Sequence, residues 1–234
     1  MSAVVKNVTF VGSLVGNYAF AHPVLSLLKA RYPNRVKGGE DLVIEGFARS
    51  GNSFFHNALM LWNPGLKTAH HCHLFCNVQK ALALNIPCVV LIRDPGQAVA
   101  SMVVWDGKLD PRLGLLGWMH FYRQLLRVRD KCLILRFDEV INEPEVCISR
   151  MNERFGLELL SQPFLEKERR LIYRRLSDLD RNTGKGVFNS SVPNDIKSRR
   201  KEKVLSVMQG SSLLQGAERL YHRIVGGLEM DVGK

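Results

Sequence analysis

Acidic residues are scarce in this sequence: 22 Asp and Glu stand against 33 Lys and Arg, a formal charge of +11. Such an excess fits a nucleic-acid binder, a membrane-surface protein or an enzyme with a polyanionic ligand, and charge alone does not choose among them. Cysteine is also sparse, and its five copies at 72, 76, 88, 132 and 147 are an odd number. That count argues against a secreted disulfide framework and suits the reduced thiols of a cytoplasm. Repeats and low-complexity segments are missing, which excludes a solenoid. One long stretch, 7–28, lacks Asp, Glu, Lys and Arg altogether. Its length raises a membrane anchor, but Gly12, Gly16, Asn17, His22 and Pro23 dilute its apolarity, and no small-residue cleavage site follows a basic start. Were it an anchor, Lys29, Arg31, Arg35 and Lys37 behind it would keep the remainder on the cytoplasmic side.

What is present is the composition of an ordinary globular protein, 46% apolar and 24% charged over 234 residues. A chain of this size buries about 70% or more of its unfolded surface, so a core needs neither disulfide nor metal. One domain spanning 1–234 is the expectation. Much of the basic excess sits in Lys167 to Arg175 and Lys197 to Lys203, mixed with Glu166, Glu168 and Glu202, and reads as solvated helical faces.

The run Asp41 to Phe47 is short and apolar and ends in a Gly-containing loop, after which Ser53 to Trp62 has helical spacing. Residues 66–71 read as a second strand and 74–84 as a helix. The run 86–92 is apolar on both faces, as a central parallel strand requires, and stops at Arg93-Asp94-Pro95-Gly96. Helices follow over 97–105 and 115–128, then a strand over 132–137 and a helix over 144–155 opened by Pro144. Strands alternating with helices predict an α/β fold with a central parallel sheet. From Ser161 the chain reads as helical and basic, interrupted over 181–193 by a Gly-containing segment that suits a surface loop or a flap over a ligand.

Gly46 to Ser53 fits the P-loop spacing, two glycines five apart and Ser two residues on, except that Asn52 stands where the lysine belongs. A strand-to-helix loop still aims backbone N–H groups and a helix dipole at an anion. The missing ammonium is the one that reaches the β and γ phosphates of a nucleoside triphosphate. Arg49 supplies a permanent cation earlier in the loop, suited to bridging phosphate or sulfate oxygens. Arg93 ends the most apolar strand, and Ser101 lies about two helical turns beyond it. Because ligands bind at the C-terminal ends of parallel strands, both loops can face one crevice.

These two segments resemble the donor-binding signatures of the sulfotransferase family, in which a strand precedes Arg or Lys and a Ser-Gly-Thr-like loop, and Arg-Asp-Pro comes later with Ser eight residues after the Arg. Residues 135–140, Glu143-Pro144 and Phe155-Gly156-Leu157 are similar to the family's next strand and helix, so the likeness covers about 41–158. Asn52 for the common Thr and Arg49 for the Lys of cytosolic members are departures. The resemblance implies a three-layer, P-loop-like α/β fold whose core, 41–158, is completed by a helical, basic 159–234. It implies a donor, 3′-phosphoadenosine-5′-phosphosulfate (PAPS), whose 5′-phosphosulfate meets Arg49, Ser50, Gly51, Asn52 and Ser53, with Phe54 following. By the same resemblance Arg93 and Ser101 bind the 3′-phosphate, Lys185 in Gly184-Lys185-Gly186 covers the donor, and the chemistry calls for no metal.

Sulfuryl transfer needs a base for the acceptor's proton and a cation for the departing phosphate, the second being a task for Arg49. Histidine titrates near neutrality, and His70, His71 and His73 end the second predicted strand. Strand alternation sends His71 and His73 to one face and His70 to the other. His71 is the preferred base, then His73, then His70. A zinc site on His71, Cys72, His73 and Cys76 is disfavoured, since neighbouring ligands on a strand point to opposite faces. The competing readings are a P-loop kinase or NTPase, and a polyanion-binding module using Arg199 to Lys201; specific nucleic-acid binding is not expected. Trp105 and Trp118 fit an acceptor pocket or a core equally well.

Overall fold

A computed structural model describes residues 33–182 and 192–229. Four parallel strands, β1 (Leu42–Gly46), β2 (Thr68–His70), β3 (Cys88–Ile92) and β4 (Leu133–Arg136), form one sheet in the order β2-β1-β3-β4. β1 and β3, the central pair, are buried at every residue, as the apolar runs of β3 and of Leu42 to Ile44 in β1 require, with Glu45 the one charged side chain among them. Their register sets Gly46 opposite Leu91. A Cβ on Gly46 would fall 2.5 Å from the Leu91 carbonyl oxygen, so only glycine lets β1 run beside β3 into the loop.

The helices are α1 (Asn52–Trp62), α2 (Phe75–Ala83), α3 (Pro95–Asp106), α4 (Pro111–Leu125), α5 (Phe137–Asn142), α6 (Pro144–Phe155), α7 (Glu166–Asn182), α8 (Asp195–Met208) and α9 (Ser212–Glu229). α3 and α4 start where Asp-Pro pairs put a cap and a preset φ: Asp94 accepts from the Gln97 amide and Asp110 from the Arg112 amide, both at 2.8 Å. That cap starts α4 at Pro111, four residues before the expected 115. α4 ends at Leu125, and a 3₁₀ turn, Arg129–Lys131, leads into β4.

One face of the sheet packs Val43, Val90, Ile92 and Ile134 against α2, α3, α4 and α9. The other packs Leu42, Ile44, Val89, Leu91 and Leu135 against Phe55 and Leu59 of α1, Val140 of α5 and Cys147, Ile148 and Met151 of α6. The architecture is therefore the expected three-layer α/β arrangement with helices on both sides of a parallel sheet. The C-terminal part is helical, and Met208, Leu214, Ala217 and Ile224 share the core of the first face. All five cysteines are buried free thiols. Among the described residues no helix is long and apolar enough to cross a membrane, and residues 7–28 lie outside them.

The second strand is shorter than predicted. It stops at His70, and both His71 (φ 62°) and His73 (φ 56°) take left-handed backbone conformations. Alternation along an extended strand therefore does not set where His71 and His73 point; a turn does.

Candidate functional site

The loop 47–51 leaves the C-terminal end of β1 and enters α1 through two left-handed residues, Arg49 (φ 69°) and Gly51 (φ 93°). Gly51 is favoured on two counts: by its φ, and because a Cβ there would lie 3.2 Å from both Phe137 and Val140, which would have to give way. The first bond of α1 runs from the Phe55 amide to the Gly51 carbonyl at 3.0 Å, so the amides of Asn52, Ser53 and Phe54 precede the helical ladder. Amides so placed, with the helix dipole behind them, attract an anion.

The predicted donor residues divide by direction. Ser50 is fully buried, its Oγ 3.3 Å from the Tyr122 hydroxyl, which itself donates to the Leu91 carbonyl at 2.6 Å. Asn52 is turned back into the loop, its Nδ2 donating to the Phe47 carbonyl at 3.4 Å. The Phe54 ring is buried with Ile172 and Leu176 of α7, so of this residue only the backbone is available to an anion at the loop. The side chains of Ser50, Asn52 and Phe54 thus build the loop from inside. Arg49 and Ser53 are only partly buried and turn instead to Ser101 and His71.

Arg49 and Arg93 are joined. Arg49 Nε donates to Ser101 Oγ at 3.1 Å, and an Arg93 terminal nitrogen donates to the Arg49 carbonyl at 3.0 Å. The two predicted anion sites are accordingly contiguous. Burial lowers both guanidinium pKa values, Arg93 to about 10, where the positive field of Arg49 adds to the effect and Asp94 opposes it. The Arg93 guanidinium also lies over the Phe137 ring, 3.8 Å from its centre. Asp94, next to Arg93 in the chain, caps α3.

On the β2 side, His71 Nε2 is 2.6 Å from Ser53 Oγ. His73 Nδ1 donates to the Gly46 carbonyl at 2.9 Å, and burial lowers its pKa. His70 stacks on His56 of α1 with ring centres 3.7 Å apart. Burial, reinforced by His70, brings His56 down to about 4. Of the three candidates, His71 is the one whose ring is hydrogen-bonded to the first turn of α1, at Ser53. Among the described residues, no group of three or more His, Cys, Asp or Glu is placed to hold a metal ion.

Sequence reasoning missed Glu45, a carboxylate inside an apolar strand. It accepts from the Cys72 amide (3.1 Å), the His73 amide (2.9 Å) and Asn77 Nδ2 (2.8 Å), and so holds the left-handed turn that carries His71. Burial pushes its carboxyl from 4.5 up to about 7, against those three bonds. Below its unfolded pKa the group is protonated in both states and its contribution to stability is fully present. Between about 4.5 and about 7 the unfolded chain loses the proton first, so stability falls as pH rises. The histidines of depressed pKa act in the opposite sense, adding stability as pH rises towards 6.5. Urea unfolding of the protein and of Glu45→Gln should therefore differ by a pH-dependent amount, the native protein losing about 3 kcal/mol relative to the variant across that window. A constant difference would contradict it.

It also missed two lysines of α8. Lys197 is buried, and both Lys197 and Lys201 have lowered pKa values through burial first and then the charge of nearby cations, Arg49 for Lys197 and Arg93 with Arg49 for Lys201. Asp180 of α7, also buried, offsets the field at Arg49 and at Lys197. The basic run 197–203 is therefore not simply a solvated face. Trp118 is fully buried in the core, whereas Trp105 is partly exposed. Lys185, with Gly184 and Gly186, lies outside the described residues.

No family model matches the sequence, and no curated protein matches it. Among solved structures the chain is similar to a mouse sulfotransferase, SULT7A1, complexed with PAP. That likeness has a TM-score of 0.40 at 9% identity and covers 83% of this chain and 93% of the other.

Proposed function

We propose that this protein is a sulfotransferase that takes a sulfuryl group from PAPS and passes it to a hydroxyl or amine of an acceptor. The observation that carries the reading is the coupling of the two cation-bearing loops, Arg49 to Ser101 and Arg93 to the Arg49 carbonyl, at the ends of neighbouring strands. Such a pairing suits one ligand with anionic groups at two places, as a 3′-phosphate and a 5′-phosphosulfate are. In this reading Arg49, Ser53 and the first amides of α1 receive the phosphosulfate, and Arg93 with Ser101 receives the 3′-phosphate.

The acceptor atom attacks sulfur as the bond from sulfur to the bridging phosphate oxygen breaks. The acceptor's proton goes to His71 Nε2, and the electron pair stays on the departing phosphate, whose growing charge Arg49 meets. Ser53 Oγ, at 2.6 Å from that nitrogen, marks where a hydroxyl can approach it. Asn52 favours sulfuryl over phosphoryl transfer, because its amide is directed to the Phe47 carbonyl where an NTPase would extend an ammonium. The chain acts as one catalytic domain in a reducing compartment, the cytoplasm, which suits its buried free thiols.

Calorimetric titration separates the reading from a P-loop kinase or NTPase. Adenosine 3′,5′-bisphosphate (PAP) should bind without a divalent cation and about tenfold or more tightly than ATP with Mg²⁺. Tight binding of ATP with Mg²⁺ and none of PAP would reverse the assignment.

A further inference from the structure

The face that α8 turns to the protein carries Lys197, Lys201, Val204, Leu205 and Met208, the i, i+4, i+7, i+8, i+11 spacing of one helical side. Glu202, Lys203, Ser206 and Val207 are exposed on the other. Leu205 rests against Gly96: a Cβ there would come within 3.3 Å of its Cδ2. Gly96 is three residues past Arg93, at the start of α3, the helix that also carries Ser101. Lys201 lies one turn before Leu205, about 6 Å along the axis, and helical side chains lean toward the N-terminus. Lys197 fixes the start of this helix, its ammonium donating to the Val192 carbonyl while the Asn194 side chain accepts from the Lys197 amide at 2.9 Å.

We infer that Lys201 is a donor-binding residue, reaching from α8 to the same 3′-phosphate that Arg93 receives. This rests on the proposed function and adds to the site a residue that its two loops do not contain. Arg49 and Arg93 already raise the electrostatic cost of a third cation beside them, and the lowered pKa of Lys201 has that as its second cause after burial. A multiply charged anion removes this cost, whereas a third cation serving only the fold would add to it. The ligand class is thus a nucleotide with a terminal phosphate on the ribose as well as one at the 5′ position. The recognition is shared between a planar guanidinium stacked on Phe137 and a mobile ammonium.

The test is titration with PAP and with AMP of the full chain and of Lys201→Met, Lys201→Arg and Lys203→Met. Lys203→Met removes the same charge from the exposed face of the same helix. Lys201→Met should weaken PAP about tenfold or more, the size of a lost charge-assisted hydrogen bond, and leave AMP unchanged. Lys201→Arg should recover most of the loss, and Lys203→Met should bind as the native chain does. Equal losses for PAP in Lys201→Met and Lys203→Met would reduce the effect to net charge and overturn the inference, as would unchanged PAP binding in Lys201→Met or an equal loss for AMP. If the native chain itself fails to distinguish PAP from AMP, the proposed function fails first and the inference with it.

Discussion

His71→Ala is expected to lower the turnover of PAPS by about 10²–10⁴-fold while leaving PAP affinity unchanged. The three histidines at 70, 71 and 73 are not equivalent. His73 is committed to the Gly46 carbonyl, and His70 is stacked on His56. Of the three, His71 is the one hydrogen-bonded to the first turn of α1, with Nε2 at 2.6 Å from Ser53 Oγ. Its left-handed backbone is maintained by Glu45, which takes the amides of the next two residues. An acceptor hydroxyl that takes the place of the Ser53 hydroxyl at Nε2 meets a base whose backbone is already fixed. The measurement is release of PAP from PAPS with a surrogate phenol as acceptor, alongside calorimetric PAP affinity. Full turnover in His71→Ala would remove it as the base. A parallel loss of PAP affinity would make it a donor contact instead.

The second large effect belongs to Arg49. Arg49→Ala should reduce turnover by about 10²–10³-fold, the usual cost of removing a group that meets charge developing in the transition state, and should also weaken PAP. Arg49→Lys should restore affinity more than turnover. A lysine keeps the charge but lacks the planar fork that spans Ser101 Oγ and an anion together. Left-handed φ at this position does not separate the two variants, since neither Ala nor Lys relieves it. Circular dichroism melts of both variants check that the loop still folds. Equal turnover in Arg49→Lys and the native chain would show that charge alone matters there.

Where the chain announces its structure is instructive. The apolar runs before Gly46 and Arg93 are legible because a central parallel strand must be apolar on both faces, and the Asp-Pro pairs are legible because capping is local. The expected helix over 144–155 has the same bounds in the structure, set by Pro144 and by Gly156 in the left-handed region. The histidine turn was not legible. Its geometry depends on Glu45, which sits inside an apolar strand and acts on residues 27 and 28 positions away. The inward direction of Ser50 was equally hidden, because it is fixed by Tyr122 on α4. Lys197 and Lys201 resemble solvated charge because Arg199 and Arg200 lie between them and Glu202 and Lys203 follow. The seating of Leu205 on Gly96, with Val204 and Met208 packed beside it, turns that side of α8 inward. Phe137, under Arg93 and against Gly51, shows the same limit: its place in the sequence marks a strand end, and its contacts come from the sheet order.

The most direct test of a sulfate-donor site is thermal unfolding of the native chain with PAP and, separately, with AMP at equal concentration. Both nucleotides carry adenosine and a 5′-phosphate, so only a site for the second phosphate distinguishes them. At a concentration 100 times its Kd a ligand adds about 2.7 kcal/mol of stability. PAP should raise the melting temperature by several degrees at a concentration where AMP leaves it nearly unchanged. Equal shifts from the two nucleotides, or none from PAP, would contradict the assignment of Arg49, Arg93 and Ser101 to a PAPS site.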